Sequence, residues 1–559
     1  MNVKWWQKEV IYQIYPRSFK DTNNDGVGDI KGIIEKLPYL NSLGITMVWI
    51  CPIFKSPMVD NGYDISDYKD INSEFGSLDD LETLLNKAKQ YDIKVMLDLV
   101  VNHTSDEHEW FKTALNDPES PYRDYYIFKE GVDGAPPNNW RSIFGGSVWE
   151  KVADEDMYYM HVFDKKQPDL NFENPKLREE IYHMINWWLE KGLAGFRIDS
   201  ITFLKKDQDF ESLPADGNDG LVTCKHKTRN RPGIESFLRE LKQQTFEKFD
   251  CITVGEAPGV NYDELTEFIG EDGYFSMIFD FKYADIDVES GSDWFKRTNW
   301  TTEEYKQLLF NSQEAIQKVG WGANFIENHD QPRALSKLVK DPSYQNFTGG
   351  SAIAMLYFFL RGTPFIYQGQ ELGMTNFERQ YIDDFNDISS IDNFHRSIEE
   401  GFTEEQAMEF VNLRSRDNTR TPLPWAPQKF GGFSKTTPWI GLIENYKIIN
   451  VQNEENNPDS LLNFYRELIR LRNHSKYAQT LTYGDFTAHR ETNKNIISYF
   501  RSDQTTKLQI IVNLSNEYNG FDIKNGNYKL ILNNYGEVEK TKNTLKLKPY
   551  EALLIEIKI

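Results

Sequence analysis

Cysteine is nearly missing from this 559-residue sequence; only Cys51, Cys224 and Cys251 occur. Three thiols build no disulfide framework, which argues against a stapled secreted scaffold and suits a reducing compartment. Long apolar runs are missing too. The longest, Ala352 to Leu360, stops at Arg361 and is too short to span a bilayer. The opening residues, Met-Asn-Val-Lys-Trp-Trp, contain no apolar leader, so a cytoplasmic protein is expected. There is also no cationic excess: 63 Lys and Arg stand against 86 Asp and Glu, a net charge of −23. That balance disfavours nucleic acid or an anionic membrane surface as partner. Internal repeats and low-complexity tracts are absent as well.

What is present is the composition of a folded protein, 39% hydrophobic and 14% aromatic, long enough for a large core and one or two smaller ones. Short apolar strands alternate with amphipathic helices. Strands are predicted at Val10–Tyr15, Met47–Cys51, Lys94–Val100, Gly195–Asp199, Cys251–Glu256, Phe275–Asp280, Ala323–Asn328 and Pro364–Gln368. Helices are predicted between them, among them Ile30–Leu43, Leu78–Tyr91, Pro175–Lys191 and Glu235–Phe249, with Pro175 a start signal and Gly192 a stop. Eight such alternations predict an α/β fold, a (β/α)8 TIM barrel. Residues from His103 to Asn171 have weak periodicity and read as an irregular insert on the active face. A second irregular stretch runs from Asp383 to about Asn457. After a last helix at Ser460–Arg472 the period changes to two, with strands at Ile496–Arg501, Leu508–Leu514, Tyr528–Leu532, Thr544–Leu547 and Ala552–Ile557 and turns at Asn519-Gly520 and Asn525-Gly526. The expected division is a barrel from 1–103 and 172–478, an inserted subdomain at 104–171, and a C-terminal antiparallel β-sandwich at 479–559.

Four of these strands end in carboxylates: Asp98-Leu-Val-Val-Asn-His103, Gly195-Phe-Arg-Ile-Asp199, Thr253-Val-Gly-Glu256 and Ile326-Glu-Asn-His-Asp330. Ionised groups at the ends of buried strands are costly unless something uses them. A lone Arg-x-Asp is ordinarily a structural ion pair. Four such endings, in order and at barrel-strand spacing, imply one shared site on the carboxyl face. Acids in that arrangement suit glycoside cleavage, which needs two carboxyl groups flanking the bond. Arg197, two residues before Asp199, projects to the same face and is expected to keep that carboxyl ionised. Glu256, desolvated in a closed pocket, is expected to hold its proton.

The chain resembles the alpha-amylase superfamily, glycoside hydrolase family 13, and within it the oligo-1,6-glucosidase and α-glucosidase group. The likeness runs nearly the full length. It rests on Ile11-Tyr-Gln-Ile-Tyr-Pro16, Asp60-Asn-Gly-Tyr-Asp64, Gln167-Pro-Asp-Leu-Asn171, Asn328-His-Asp-Gln-Pro-Arg333, Gly362-Thr-Pro-Phe-Ile-Tyr-Gln-Gly369 and Arg416-Asp-Asn-Thr-Arg-Thr-Pro422. The resemblance implies that Asp199 is the nucleophile, Glu256 the acid/base and Asp330 the transition-state stabiliser. It implies that Asp60, Tyr63, His103, Arg197, His329 and Arg416 line a pocket for a terminal glucose, with Gln167 close to the ring; Arg420 competes with Arg416 for its role. The implied partner is a small oligosaccharide, and a monomer is expected.

Asp21-Thr-Asn-Asn-Asp-Gly-Val-Gly-Asp29 sets oxygen-bearing side chains at alternating positions around Gly26, a pattern suited to calcium first and magnesium second. Position twelve is Gly32, which argues against an EF-hand. The resemblance favours a structural calcium ion on Asp21, Asn23, Asp25 and Asp29, with the Val27 carbonyl. In the same group the residue after the nucleophile tracks linkage, Val accompanying α-1,6 cleavage and a small or hydroxylated residue α-1,4. Ser200 stands there, and Ala257 follows Glu256 where Met is frequent, so α-1,4 links are expected with α-1,6 as a second activity. The alternatives are an oligo-1,6-glucosidase, or a sucrose isomerase or glucosyltransferase; against the isomerase, Ala334-Leu-Ser-Lys replaces its charged Arg-Leu-Asp-Arg-Asp loop. A trehalose-6-phosphate hydrolase lacks support from any distinct phosphate-binding cluster. A non-catalytic barrel is remote, because all three acids are kept.

Overall fold

Each of the eight apolar runs forms a strand, and in the computed structural model the strands close on one another. They are β1 (Ile11–Ile14), β2 (Met47–Ile50), β3 (Lys94–Leu99), β4 (Gly195–Ile198), β5 (Ile252–Glu256), β6 (Met277–Phe279), β7 (Ala323–Asn324) and β8 (Thr363–Tyr367). The neighbour order around the ring is β1-β8-β7-β6-β5-β4-β3-β2, every pair parallel. The structure describes residues 3–289, 296–523, 528–541 and 543–557. The barrel strands are buried on both faces, which is why they read as continuous apolar runs.

The intervening helices start and stop where the local chemistry directs. Ile30–Leu43 is capped by the Asp29 carboxylate, which accepts from the Gly32 amide, and ends at Gly44 in the left-handed region, φ 93°. Leu78–Gln90 opens with a capping box between Ser77 and Asp80, and Pro175–Glu190 opens with Pro175 behind the Asn174 cap. Gly195 starts β4 because a Cβ there would lie 1.8 Å from the Ile252 carbonyl oxygen of β5. The predicted seventh strand is longer than the observed one: Asn324 is paired beside Pro364, which has no N–H to extend the ladder.

The stretch after β3 is more ordered than its composition suggests. It holds a helix at Glu109–Asn116 and a small antiparallel sheet of Phe128–Glu130, Met157–Met160 and Trp149–Lys151. Its core also recruits the loop that follows β4: Phe203, Val222 and Cys224 pack with Ile127, Trp140 and Trp149. Val222 pairs with Trp140, and Arg141 is clamped by Asp216 and Asp219. This union is not legible in the sequence, because Trp140 and Val222 lie far apart along the chain. The stretch after β8, expected to be irregular, contains two longer helices, Ile388–Glu399 and Glu404–Arg414, and a short one, Val451–Glu455. Asp387 caps the first, and a Thr403–Gln406 capping box opens the second.

At the C-terminus a five-stranded antiparallel sheet faces a three-stranded one. All five predicted strands are present. Asp485–Ala488, Asn519–Asp522 and Glu539–Lys540 are additional, so Asn519-Gly520 lies in a strand and makes no turn. The Asn525-Gly526 turn lies outside the described residues. The longest apolar run, Ala352 to Leu360, falls mostly in the helix Phe347–Phe358, buried between barrel and sandwich, where Tyr499 donates to the Leu356 carbonyl at 2.8 Å. Arg501 fixes the same joint by donating to the carbonyls of Phe359, Leu481 and Gly484. Among the described residues no helix is long and apolar enough to cross a membrane.

Candidate active site

The register of β3, β4 and β5 determines the centre of the site. Arg197 on β4 lies opposite Asp98 on β3 and Val254 on β5, and its side chain points along the barrel interior with that of Asp199, two residues on. The guanidinium then meets three carboxyl groups at once. Nη1 donates to Asp98 Oδ1 and Asp199 Oδ1, both at 2.7 Å, and Nη2 lies 2.8 Å from Glu256 Oε2. The Ser200 amide donates to that same Glu256 oxygen at 3.0 Å, from a residue held in the left-handed region at φ 43°. Asp98, fully buried, accepts further bonds from Trp49 Nε1 and the Tyr63 hydroxyl.

The opposite wall is built around Asp330. His329 accepts from Gln13 Nε2 at 2.8 Å through Nδ1, which leaves Nε2–H to face Tyr63 and Asp330, the latter at 3.0 Å. Arg420 donates to Asp330 Oδ1 at 2.9 Å and to the His329 carbonyl, entirely buried behind the acid. Arg416 is in front. It bridges Asp387, at 2.7 Å, and Asp60, at 2.9 Å, and reaches Asp330 at 3.6 Å. Behind Asp60, Gln167 donates to its carboxylate at 3.1 Å and touches His103, whose Nε2 lies 3.1 Å from the Tyr63 carbonyl.

These walls enclose a cavity of about 220 Å³ lined by Asp60, Tyr63, His103, Asp199, Ser200, Glu256, Asp330 and Arg416. That is small beside the roughly 300–1,000 Å³ clefts of drug-sized ligands and suits one sugar ring. The insert supplies its apolar side, Ile143, Phe144 and Phe163, and the helix after β8 supplies Asp387 and Ser389.

Burial pushes Glu256 up to about 7, against the pull of the Arg197 guanidinium, and the neighbouring Asp199 and Asp330 charges push the same way. Burial also raises Asp199, to about 6, again opposed by Arg197. Arg197 pulls Asp199 toward the ionised form as expected, but one guanidinium is divided among three acids, and desolvation outweighs its share. Asp330 goes the other way. Burial would raise it, but the His329 ring N–H and the Arg416 and Arg420 guanidinium groups hold it well below the ordinary range.

Of the expected residues, the three acids, Asp60, Tyr63, His103, Ser200 and Arg416 meet at the cavity. Three others do not line it. Arg197 and His329 are buried behind the wall because their polar atoms are used in holding Asp98, Asp199, Glu256 and Asp330, and Gln167 is buried behind Asp60. The competition between Arg416 and Arg420 is resolved by depth, Arg416 facing the cavity and Arg420 backing Asp330. Asp21, Asn23, Asp25, Val27 and Asp29 lie on a separate loop that leads into the first helix. Sequence reading singled out the Asp98 segment without giving Asp98 a role, and it missed Asp387 and the three insert hydrophobics. Asp98 carried a signal, a carboxylate inside an apolar strand run; Asp387 was hidden in a stretch read as irregular.

A parallel barrel with a small carboxylate-lined cavity on its carboxyl face, two of whose acids share one guanidinium, defines a sugar-cleaving enzyme. Comparison with known proteins gives the family: the alpha-amylase catalytic-domain model matches residues 13–484, and the chain belongs to the alpha-amylase family of glycoside hydrolases. It is 42% identical to the probable oligo-1,6-glucosidase 3 of Bacillus subtilis (strain 168) over 99% of both chains. It is 40% identical to an oligo-1,6-glucosidase of Bacillus cereus over 100% of both. An alpha-glucosidase of Schizosaccharomyces pombe is 37% identical, covering 99% of this chain and 98% of its own. Among solved structures, a trehalose-6-phosphate hydrolase of Bacillus licheniformis superposes with a TM-score of 0.91 at 38% identity. An isomaltulose synthase of Klebsiella sp. LX3 superposes with 0.94 at 36%. Each of these two covers 100% of both chains.

Proposed function

We propose that the protein is a retaining, exo-acting α-glucosidase that releases single glucose units from the non-reducing ends of short oligosaccharides. The observation that carries this is the Arg197 fork, which touches both Asp199 and Glu256 and so draws the two carboxyls together at one cavity; double-displacement chemistry calls for a separation of about 5 Å. Asp199 attacks the anomeric carbon while Glu256 passes its proton to the leaving oxygen. The glucosyl-enzyme bond formed is then broken by water, whose proton returns to Glu256. Asp330, kept ionised by Arg416 and Arg420, stabilises the cationic character of the transition state. The Asp60–Arg416–Asp387 bridge closes the far end, which supports capture of a terminal ring over internal cutting. Ala334-Leu-Ser-Lys, folded here into the short helix Ala334–Leu338, supports water as acceptor over the isomerase reading.

For linkage, the names of the most similar relatives support α-1,6 bonds, as in isomaltooligosaccharides. A second reading, α-1,4, rests on Ser200, which lines the cavity where a branched side chain would fill space beside the aglycone. Measured on isomaltose, maltose and longer chains, the early products are glucose from the non-reducing end, released as the α-anomer, and the remaining chain shortened by that one unit. Ser200→Val moves the maltose-to-isomaltose rate ratio toward isomaltose by up to about tenfold, a methyl-scale effect. Mixed oligosaccharides, or β-glucose appearing first, would sink the mechanism; an unmoved ratio would remove Ser200 from the linkage question.

The two raised carboxyls give a second prediction. Asp199 must be ionised and Glu256 protonated, so kcat/KM rises with pH through about 6 and falls through about 7, and the pair titrates as a unit. Glu256→Gln, assayed on an aryl glucoside whose leaving group needs no proton, loses the alkaline limb. A flat profile between pH 5 and 8 in the unaltered enzyme would contradict the assignment.

We also propose a calcium ion on the Asp21–Asp29 loop. Asp21 and Asp29 are buried, and neither has an ion-pair partner among the described residues, so a cation would add the positive charge this loop lacks. Their oxygens already accept from the Asn24, Gly26, Thr22 and Gly32 amides, so the ion would depend on Asn23, Asp25 and the Val27 carbonyl as well. It is structural and remote from the chemistry. Chelator lowers the melting temperature by several degrees and added calcium restores it, with the initial rate at assay temperature unchanged; an unshifted melting curve would dismiss the ion. The three unpaired thiols support a reducing, cytoplasmic setting.

A further inference from the structure

The stretch between β8 and the last barrel helix forms a second depression, of about 610 Å³, with no part in the catalytic cavity. Its walls carry four aromatic side chains, the buried Phe385 and the half-buried Phe430, Trp439 and Tyr446, together with the exposed Asp383, Asp384 and Lys429. Two of the most exposed large apolar side chains of the protein, Tyr381 at 67% and Ile448 at 74%, lie two residues along the chain from this lining. Half-buried aromatic rings in a depression rimmed by charges mark a binding surface.

Two details show that the depression is built. Phe430 is held at φ 57°, ψ 28°, a region bulky L residues rarely occupy, with Gly431 and Gly432 continuing at φ 64° and 66°. The backbone pays this strain to present the Phe430 ring, over which the Lys429 ammonium lies at 4.5 Å. Trp439 is fixed from behind, its indole N–H donating to Ser18 Oγ at 3.0 Å and the Arg17 guanidinium lying 4.2 Å from its ring. Fixed aromatic faces with carboxylates beside them match the chemistry of a pyranose, whose C–H faces are apolar and whose hydroxyls donate at the rim. The depression also adjoins the catalytic site: Asp383 to Asn386 form one wall, and Asp387, next in the chain, lines the catalytic cavity and holds Arg416.

We propose that this depression is a second carbohydrate site, which takes two or three sugar units of a glucan chain. The proposal rests on the reading of the enzyme as one that acts on oligosaccharides, and it adds a holding site that the catalytic pocket does not supply. A disaccharide seated in the catalytic pocket has no need of it.

Cyclic glucans test this, because a ring has no non-reducing end to seat in a blind pocket. α-Cyclodextrin and cycloisomaltoheptaose are titrated against the full-length enzyme by tryptophan fluorescence and saturation-transfer NMR. At least one binds saturably at millimolar concentration. Phe430→Gly combined with Tyr446→Ala weakens that binding about tenfold, while glucose release from disaccharides is unchanged. If the double variant folds poorly, Asp383→Ala combined with Tyr446→Ala serves in its place. Absence of binding by either ring, or binding that survives the variants, overturns the proposal. Loss of disaccharide hydrolysis in the unaltered enzyme would instead refute the glucosidase reading, since ring binding is read independently.

Discussion

The site depends on an imbalance of charge around Arg197. One guanidinium serves Asp98, Asp199 and Glu256, and burial desolvates all three acids. Had each acid its own cation, all would ionise far below neutral pH, and none would carry a proton to give. With one cation for three, desolvation prevails and Glu256 retains its proton to about 7. Asp98 makes the division necessary: it takes one bond from the Arg197 Nη1 that also serves Asp199, and burial raises it to about 6 as well.

Across the cavity the ratio is reversed. Asp330 meets Arg420 and Arg416 together with the His329 ring N–H, and its carboxyl is driven down. Two acids of the same residue type, facing one small cavity, are thus set apart by the number of cations each can reach. Those cations come from different parts of the chain: Arg197 from inside a strand, Arg416 and Arg420 from a segment beyond the last strand. The barrel rim lets such distant contributions meet, since every loop on its carboxyl face opens onto the same space.

Much of this was legible in the sequence. A carboxylate closing an apolar run is conspicuous because burial penalises it, and that penalty picked out Asp199, Glu256 and Asp330 without any knowledge of their contacts. The i, i+2 relation of Arg197 and Asp199 was legible for the same kind of reason, strand geometry. What escaped depended on contacts between remote segments. Asp387 reads as an ordinary helix cap; only the fold reveals that it holds Arg416. Val222 and Trp140 carry no mark of their pairing, nor does Phe203 of its place in the core of the insert. The linkage expectation from Ser200 was a single-residue argument, and full-length likeness to oligo-1,6-glucosidases weighs against it.

The most direct test removes the shared cation. In Arg197→Gln, Asp98, Asp199 and Glu256 remain buried with no guanidinium between them, and their affinity for protons rises further. Ionising them then costs stability: the penalty is small at pH 5, where the raised carboxyls stay protonated, and grows as pH climbs through their folded values. Thermal unfolding of the variant against the unaltered protein at pH 5 and pH 8 measures this. The deficit is expected to be clearly larger at pH 8, up to the roughly 3–5 kcal/mol of a broken buried pair. Equal deficits at the two pH values would contradict the shared-cation account.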